Sequence, residues 1–139
     1  MGKQRVENSI RLLLVDDEER FTQTLSKRLG ERGLDVATAS SGSQALKLME
    51  DNVYDVAVVD IKMPGMDGVE TLREIRKISP LTEVILLTGH ASVDAAIDGM
   101  RLGAFEYILK PCEIEELIAK IEEAYAKRKI REEEMKEQG

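Results

Sequence analysis

Residues 56–60 read Val-Ala-Val-Val-Asp, an apolar run closed by a bare carboxylate. A strand buried on both faces of a parallel sheet reads as such a continuous hydrophobic run, and the polar residue that ends it projects into a crevice. The arrangement recurs three times. Leu12-Leu13-Leu14-Val15 ends in Asp16-Asp17, Val84-Ile85-Leu86-Leu87 ends in Thr88, and Tyr107-Ile108-Leu109 ends in Lys110. In an open parallel α/β sheet all these ends lie along one edge, where ligands bind. Three carboxylates, a hydroxyl and an ammonium then converge. That set suits a divalent cation and a phosphoryl group.

Working outward, short β-branched or aliphatic runs occur near 10–15, 34–39, 54–60, 83–88 and 105–109, each followed by a segment of helical periodicity. After the first run, Phe21, Leu25 and Leu29 form one helical stripe, and Gly30 and Gly33 are expected to end it. Ser41 or Ser43 caps a second helix, with Ala45, Leu46 and Met49 turned inward. The third carries Val69, Leu72, Ile75 and Ile78 and stops before Pro80; the fourth carries Val93, Ala96, Ile97 and Met100. The fifth has the clearest stripe, Ile114, Leu117, Ile118, Ile121 and Tyr125. Five βα units predict an α/β fold, a doubly wound parallel sheet with helices on both faces. Of the common strand orders, the flavodoxin-like 2-1-3-4-5 sets Asp16 and Asp17 beside Asp60, so the clustering of acids favours it.

The 139 residues suit one domain, expected over residues 10–126. Residues 1–9 read as a disordered polar extension, and 127–139 (KRKIREEEMKEQG) as a solvated continuation of the last helix or the remnant of a linker. Composition is 42% hydrophobic and 34% charged, with 4% aromatics and no Trp, so the core must be aliphatic. A net charge of −7 argues against nucleic-acid binding by this chain. No apolar stretch approaches the roughly 20 residues of a membrane span. The single Cys112 cannot form an internal disulfide, which fits a reducing, cytoplasmic setting and a small packed side chain.

The loop after the first strand is Asp16-Asp17-Glu18-Glu19, where nucleotide-binding α/β domains place glycines. No GxGxxG or GxxxxGK[ST] occurs, so dinucleotide and P-loop readings fail. Acids so close together repel a phosphate unless a cation intervenes, and Mg²⁺ is the usual choice for carboxylates, waters and a phosphate. Taken singly, each residue has a plainer reading: Asp16, Asp17 and Glu18 as helix caps, Thr88 as a turn residue, Lys110 as a solvated lysine. Together with Asp60 those readings lose force, because clustered buried carboxylates need a neutralising partner.

The set Asp16-Asp17, Asp60, Thr88 and Lys110-Pro111 resembles the receiver domain of bacterial two-component response regulators. The local phrases VDDEER, VVDIKMPGMDGVE, LLTGHAS and GAFEYILKP carry the resemblance, which runs from about Ile10 to Tyr125. GAFEYILKP is also similar to receivers attached to sigma-54-dependent activators, although stand-alone receivers share it. The resemblance implies that Asp60 accepts a phosphoryl group from a phosphohistidine on a sensor histidine kinase. It implies that Asp17 and Asp60 coordinate Mg²⁺, with Asp16 through water and the Lys62 backbone carbonyl completing the set. Lys110 and Thr88 then hold phosphoryl oxygens. Thr88 and Tyr107 form a switch that alters the surface of the fourth helix, fifth strand and fifth helix, for a downstream effector or output domain, with homodimerisation on that face as a further expectation. Pro111 is a candidate cis proline, and Lys62 and His90 flank the site at positions that tune phosphoryl lifetime.

Two other classes compete. A Mg²⁺-dependent aspartyl phosphatase usually carries a second Asp two residues after the nucleophile, where this chain has Lys62. A degenerate receiver that only binds partners normally lacks an acid or the lysine, and both are present here. The expectation is therefore a signalling protein that catalyses its own phosphorylation and dephosphorylation only, not an enzyme acting on other substrates.

Overall fold

The computed structural model describes residues 9–138, so the extension expected over 1–9 lies outside the described residues except for Ser9. Ser9 is buried, and its Oγ donates to the Gly33 carbonyl at 3.5 Å. Five strands alternate with five helices: β1 Arg11–Val15, α1 Glu19–Glu31, β2 Asp35–Ala39, α2 Gly42–Asp51, β3 Val56–Asp60, α3 Gly68–Ile78, β4 Glu83–Thr88, α4 Val93–Arg101, β5 Glu106–Leu109 and α5 Ile114–Gln138. A short 3₁₀ turn, His90–Ser92, leads into α4. All strand pairs are parallel, in the order β2-β1-β3-β4-β5.

Alternation along the strands builds two cores. Leu13, Val15, Ala57, Val59, Val84 and Leu86 face one side, under the side chains of α2, α3 and α4. Leu12, Leu14, Val56, Val58, Ile85 and Leu87 face the other, under α1 and α5. Both faces are covered, so β1, β3 and β4 have almost no polar residue until their ends. Each fully buried Leu or Ile contributes about 1.5–3 kcal/mol relative to exposure.

The helices start where polar caps permit. Ser41 Oγ accepts the Gln44 N–H at 3.1 Å, and Asp67 Oδ1 accepts the Glu70 N–H at 2.9 Å. α1 runs through Gly30 and is closed by Gly33 at φ 92°, a left-handed conformation that a β-carbon would strain. Two stripe residues do not turn inward as expected. Ile78 is 52% exposed because it is the last residue of α3, and Ile97 is 40% exposed on the outer flank of α4. α4 instead packs through Ala96 and Gly99, lying so close that a β-carbon at Gly99 would collide with the Leu86 side chain. The segment from Lys127 continues α5 to Gln138, and Arg128 within it is buried.

Candidate functional site

Strand register gathers the site. Val15 pairs with Val59, so Asp16 and Asp60 follow side by side at the ends of β1 and β3. Asp60 pairs with Leu87, which sets Thr88 one step beyond it, and Thr88 pairs with Leu109. The Lys110 N–H then donates to the Thr88 carbonyl at 2.8 Å, so the lysine leaves β5 at the same edge. The Lys110–Pro111 bond is cis, as the resemblance implied.

One ammonium ties the acids together. Lys110 Nζ lies 3.0 Å from Asp60 Oδ1 and 3.1 Å from Asp16 Oδ2, and it sits 4.6 Å from the centroid of the Phe21 ring. The other oxygen of Asp16 accepts the Glu18 N–H at 3.0 Å, which folds the acidic loop back over the end of β1. Asp16 and Asp60 are buried, whereas Asp17 is exposed. One carboxylate oxygen from each of Asp16, Asp17 and Asp60 lies within 4.8 Å of the others.

Burial pushes the Asp60 carboxyl above its ordinary value; the hydrogen bond from Lys110 opposes this, while the charges of Asp16 and Asp17 add to it. For Lys110, burial lowers the pKa, but hydrogen bonds to Asp60 and Asp16 outweigh it and the net direction is up. The lysine is therefore a fixed positive charge at neutral pH. One such charge against three carboxylates leaves a net deficit of positive charge in a partly buried site. An all-oxygen donor set with that deficit fits a hard divalent cation such as Mg²⁺.

Thr88 is buried at the rim, its Oγ donating to the Gly89 carbonyl at 3.0 Å. Asp17, Asp60, Lys62, Thr88, His90 and Lys110 border an open cleft of about 430 Å³. The side chains of Lys62 and His90 are exposed. Tyr107 lies farther off, half-buried on β5 against the core beneath α4. Cys112 is half-buried against the other core, and burial raises its thiol pKa, in keeping with a packed side chain.

Two supporting features escaped the sequence reading. Phe21, counted only as a core residue, also lies under the Lys110 ammonium. Gly68 opens α3 against the end of β3, where a β-carbon would collide with the Asp60 carbonyl oxygen, and its N–H donates to the Ile61 carbonyl at 2.9 Å. The phrase Asp67-Gly68-Val69-Glu70 carried the signal, an Asp followed three residues later by Glu, which marks a helix start.

Comparison with known proteins bears on this geometry. The family model described as the response regulator receiver domain matches residues 12–122. The chain is 41% identical over 107 residues to the regulatory protein AtoC of Escherichia coli K12, covering 77% of this chain and 23% of that protein. It is 37% identical over 111 residues to the DNA-binding transcriptional regulator NtrC of the same organism, covering 80% of this chain and 24% of NtrC. Among solved structures, a response regulator receiver domain protein from Clostridium thermocellum superposes with a TM-score of 0.84 at 41% identity, covering 87% of this chain and 98% of that one. The chain thus spans about a quarter of the length of the curated relatives it matches.

Proposed function

The chain belongs to the response regulator receiver domain family, and on that premise we propose that Asp60 accepts a phosphoryl group from a phosphohistidine of a sensor histidine kinase, in a Mg²⁺-dependent transfer. The observation that carries the reading is the lysine bridge: Lys110 Nζ contacts both Asp60 and Asp16 at the edge where the register also delivers Thr88.

A carboxylate oxygen of Asp60 attacks phosphorus as the bond from phosphorus to the donor imidazole nitrogen breaks, and the product is an acyl phosphate. Phosphoryl transfer asks for positioning and charge neutralisation rather than covalent assistance. Asp16, Asp17, Asp60 and the Lys62 carbonyl would hold Mg²⁺, which supplies charge neutralisation at the phosphoryl oxygens. Lys110 moves from its bridging position to pair with a phosphoryl oxygen, and the Thr88 hydroxyl exchanges its Gly89 partner for another. The cleft leaves Asp60 open to a donor side chain, with the lysine poised at its edge over the Phe21 ring.

The new group adds about −1.5 to −2 charges and fresh acceptor oxygens. Thr88 shifts toward it, and Tyr107 turns into the space vacated, a packing change between two populated states. The responding surface is α4, β5 and α5. Ile97, Leu102 and Leu109 are exposed there and supply an apolar face for an effector, an output domain or a second copy of the chain. The setting is the cytoplasm; no helix among the described residues is long and apolar enough to cross a membrane.

Incubation with acetyl phosphate, with and without Mg²⁺, tests the reading by intact mass. The expected result is a gain of one phosphoryl group that a chelator abolishes. Folded, metal-supplied protein that gains none leaves only a binding module.

A further inference from the structure

α5 is 25 residues long, about 37 Å at 1.5 Å per residue. Its first half is held by Ile114, Leu117, Ile121 and Ala124 in the core beneath it. Its second half has no such hold. Beyond Tyr125, which still packs against that core, the large apolar residues Ile130 and Met135 are 60% and 55% exposed. Lys, Arg, Glu, Met and Gln make residues 127–138 a good helix by propensity, but apolar burial does not fix where these turns lie.

Two arginines on the buried stripe replace the apolar contacts. Arg128, 7% exposed, places Nε 3.1 Å from Asp55 Oδ1 and Nη2 3.0 Å from Glu132 Oε1. Arg131 donates from Nη1 to Glu83 Oε2 at 2.6 Å and from Nη2 to the Pro80 carbonyl at 2.7 Å. Glu83 is 1% exposed, and Asp55 Oδ2 accepts the Arg11 N–H at 2.8 Å. Asp55 immediately precedes β3 and Glu83 opens β4, so the helix is tied to the two strands whose other ends carry Asp60 and Thr88.

We propose that Arg128–Asp55 and Arg131–Glu83 form a two-point clamp that carries α5 past the sheet as a single rigid helix and fixes the position of its last turns relative to β3 and β4. The clamp's role is positional. Buried ion pairs add little net stability over apolar packing of the same volume, yet losing one partner leaves a charge stranded. Arg128 Nε and Nη1 and Glu83 Oε1 are buried without hydrogen-bond partners among the described residues, so Arg128 meets Asp55 as a close ion pair at 3.1 Å rather than through an aligned hydrogen bond. The ion pair at Arg128 and the hydrogen-bonded pair at Arg131, one turn apart, add two fixed points beyond the end of the apolar stripe.

Amide hydrogen exchange on the full chain tests the clamp by comparing the α5 end with the β1 and β3 amides in the same sample. Arg131→Gln, and separately the milder Arg131→Lys, is compared with the double variant Lys129→Gln/Lys136→Gln, which removes only the pairs of Lys129 with Glu132 and of Lys136 with Glu133. The clamp predicts that Arg131→Gln speeds exchange at 132–138 by about tenfold while strand amides keep their protection, and that the lysine variant changes exchange there less than about twofold. Equal acceleration in the lysine variant overturns the proposal, because local pairing would then hold the helix. So does unaltered exchange in Arg131→Gln. Loss of protection spread evenly over strands and helix, in Arg131→Gln and Arg131→Lys alike, also overturns it, because the pair would then be a global stabiliser.

Discussion

Replacing Lys110 by Met removes the one ammonium that bridges Asp16 and Asp60 while keeping an unbranched side chain over Phe21. At about 3 Å and an effective dielectric constant of 20, each contact carries a gross attraction of roughly 5 kcal/mol. Desolvating the ammonium offsets most of that, and breaking a fully buried pair costs about 3–5 kcal/mol net. The Lys110 side chain retains 25% exposure, so solvent screening brings the expected loss to about 2 kcal/mol, a fall of roughly 6–10 °C in Tm for a chain of this size. Thermal unfolding by circular dichroism, in chelator at neutral pH, reads it directly. Two dependences sharpen the test. Lys110 has a raised folded pKa, so its stabilisation is present below the ordinary 10.5 and is lost as pH climbs through the folded value. Acidification through the raised Asp60 pKa protonates a partner, so the gap between variant and wild type narrows there. Lys110 also competes with a bound cation for the same oxygens, so excess Mg²⁺ should stabilise the variant more than the wild type. A variant as stable as wild type in chelator, or equal Mg²⁺ increments in both, would refute the bridge as the dominant neutralising contact.

Asp60→Asn should stabilise the metal-free protein at neutral pH. The folded pKa of Asp60 lies above 3.8, so ionisation costs folding energy as pH rises through that raised value, and the gain from Asn should vanish below 3.8, as a urea-melt series against pH would show. Gly68→Ala drives a β-carbon into the backbone that ends β3, which has no flexible side chain to yield; a loss of about 1–3 kcal/mol in chemical denaturation is expected, with weakened Mg²⁺ binding by calorimetry. Thr88→Val keeps the buried volume but removes the hydroxyl. Its stability should fall by only about 1 kcal/mol, while single-turnover phosphoryl gain from acetyl phosphate slows and chemical-shift changes at Tyr107 on phosphorylation disappear.

The parts of the fold legible in the sequence were those set by burial on both faces. Leu12–Val15, Val56–Val59 and Val84–Leu87 admit no polar residue until the sheet edge, so the strands, their ends and the acids there could be read directly. The strand order needed chemistry as well, since only the gathering of Asp16, Asp17 and Asp60 into one cation-binding cluster favoured placing β1 beside β3. Periodicity failed where helices end or pack closely. Ile78 fits a stripe but stands past the sheet, and Ile97 gives way to Gly99, whose value lies in having no side chain. Charged residues at long range were the least legible. Glu83 and Arg131 lie 48 residues apart, and KRKIREEEMKEQG looks solvated although Arg128 is buried. Nor could spacing show that Lys110 engages Asp16 as well as Asp60, because that depends on a rotamer set by Phe21 and the β5–α5 turn.

The central claim is that Asp60 itself becomes the acyl phosphate. Reductive trapping with borohydride after acetyl phosphate and Mg²⁺ converts a phosphorylated aspartate to homoserine, and peptide sequencing by mass spectrometry then locates it. The account predicts homoserine at position 60 in wild type and at no position when Lys110 is Met or Mg²⁺ is chelated. Homoserine at Asp16 or Asp17 instead, or a phosphoryl group retained on a residue that borohydride leaves unchanged, would contradict it.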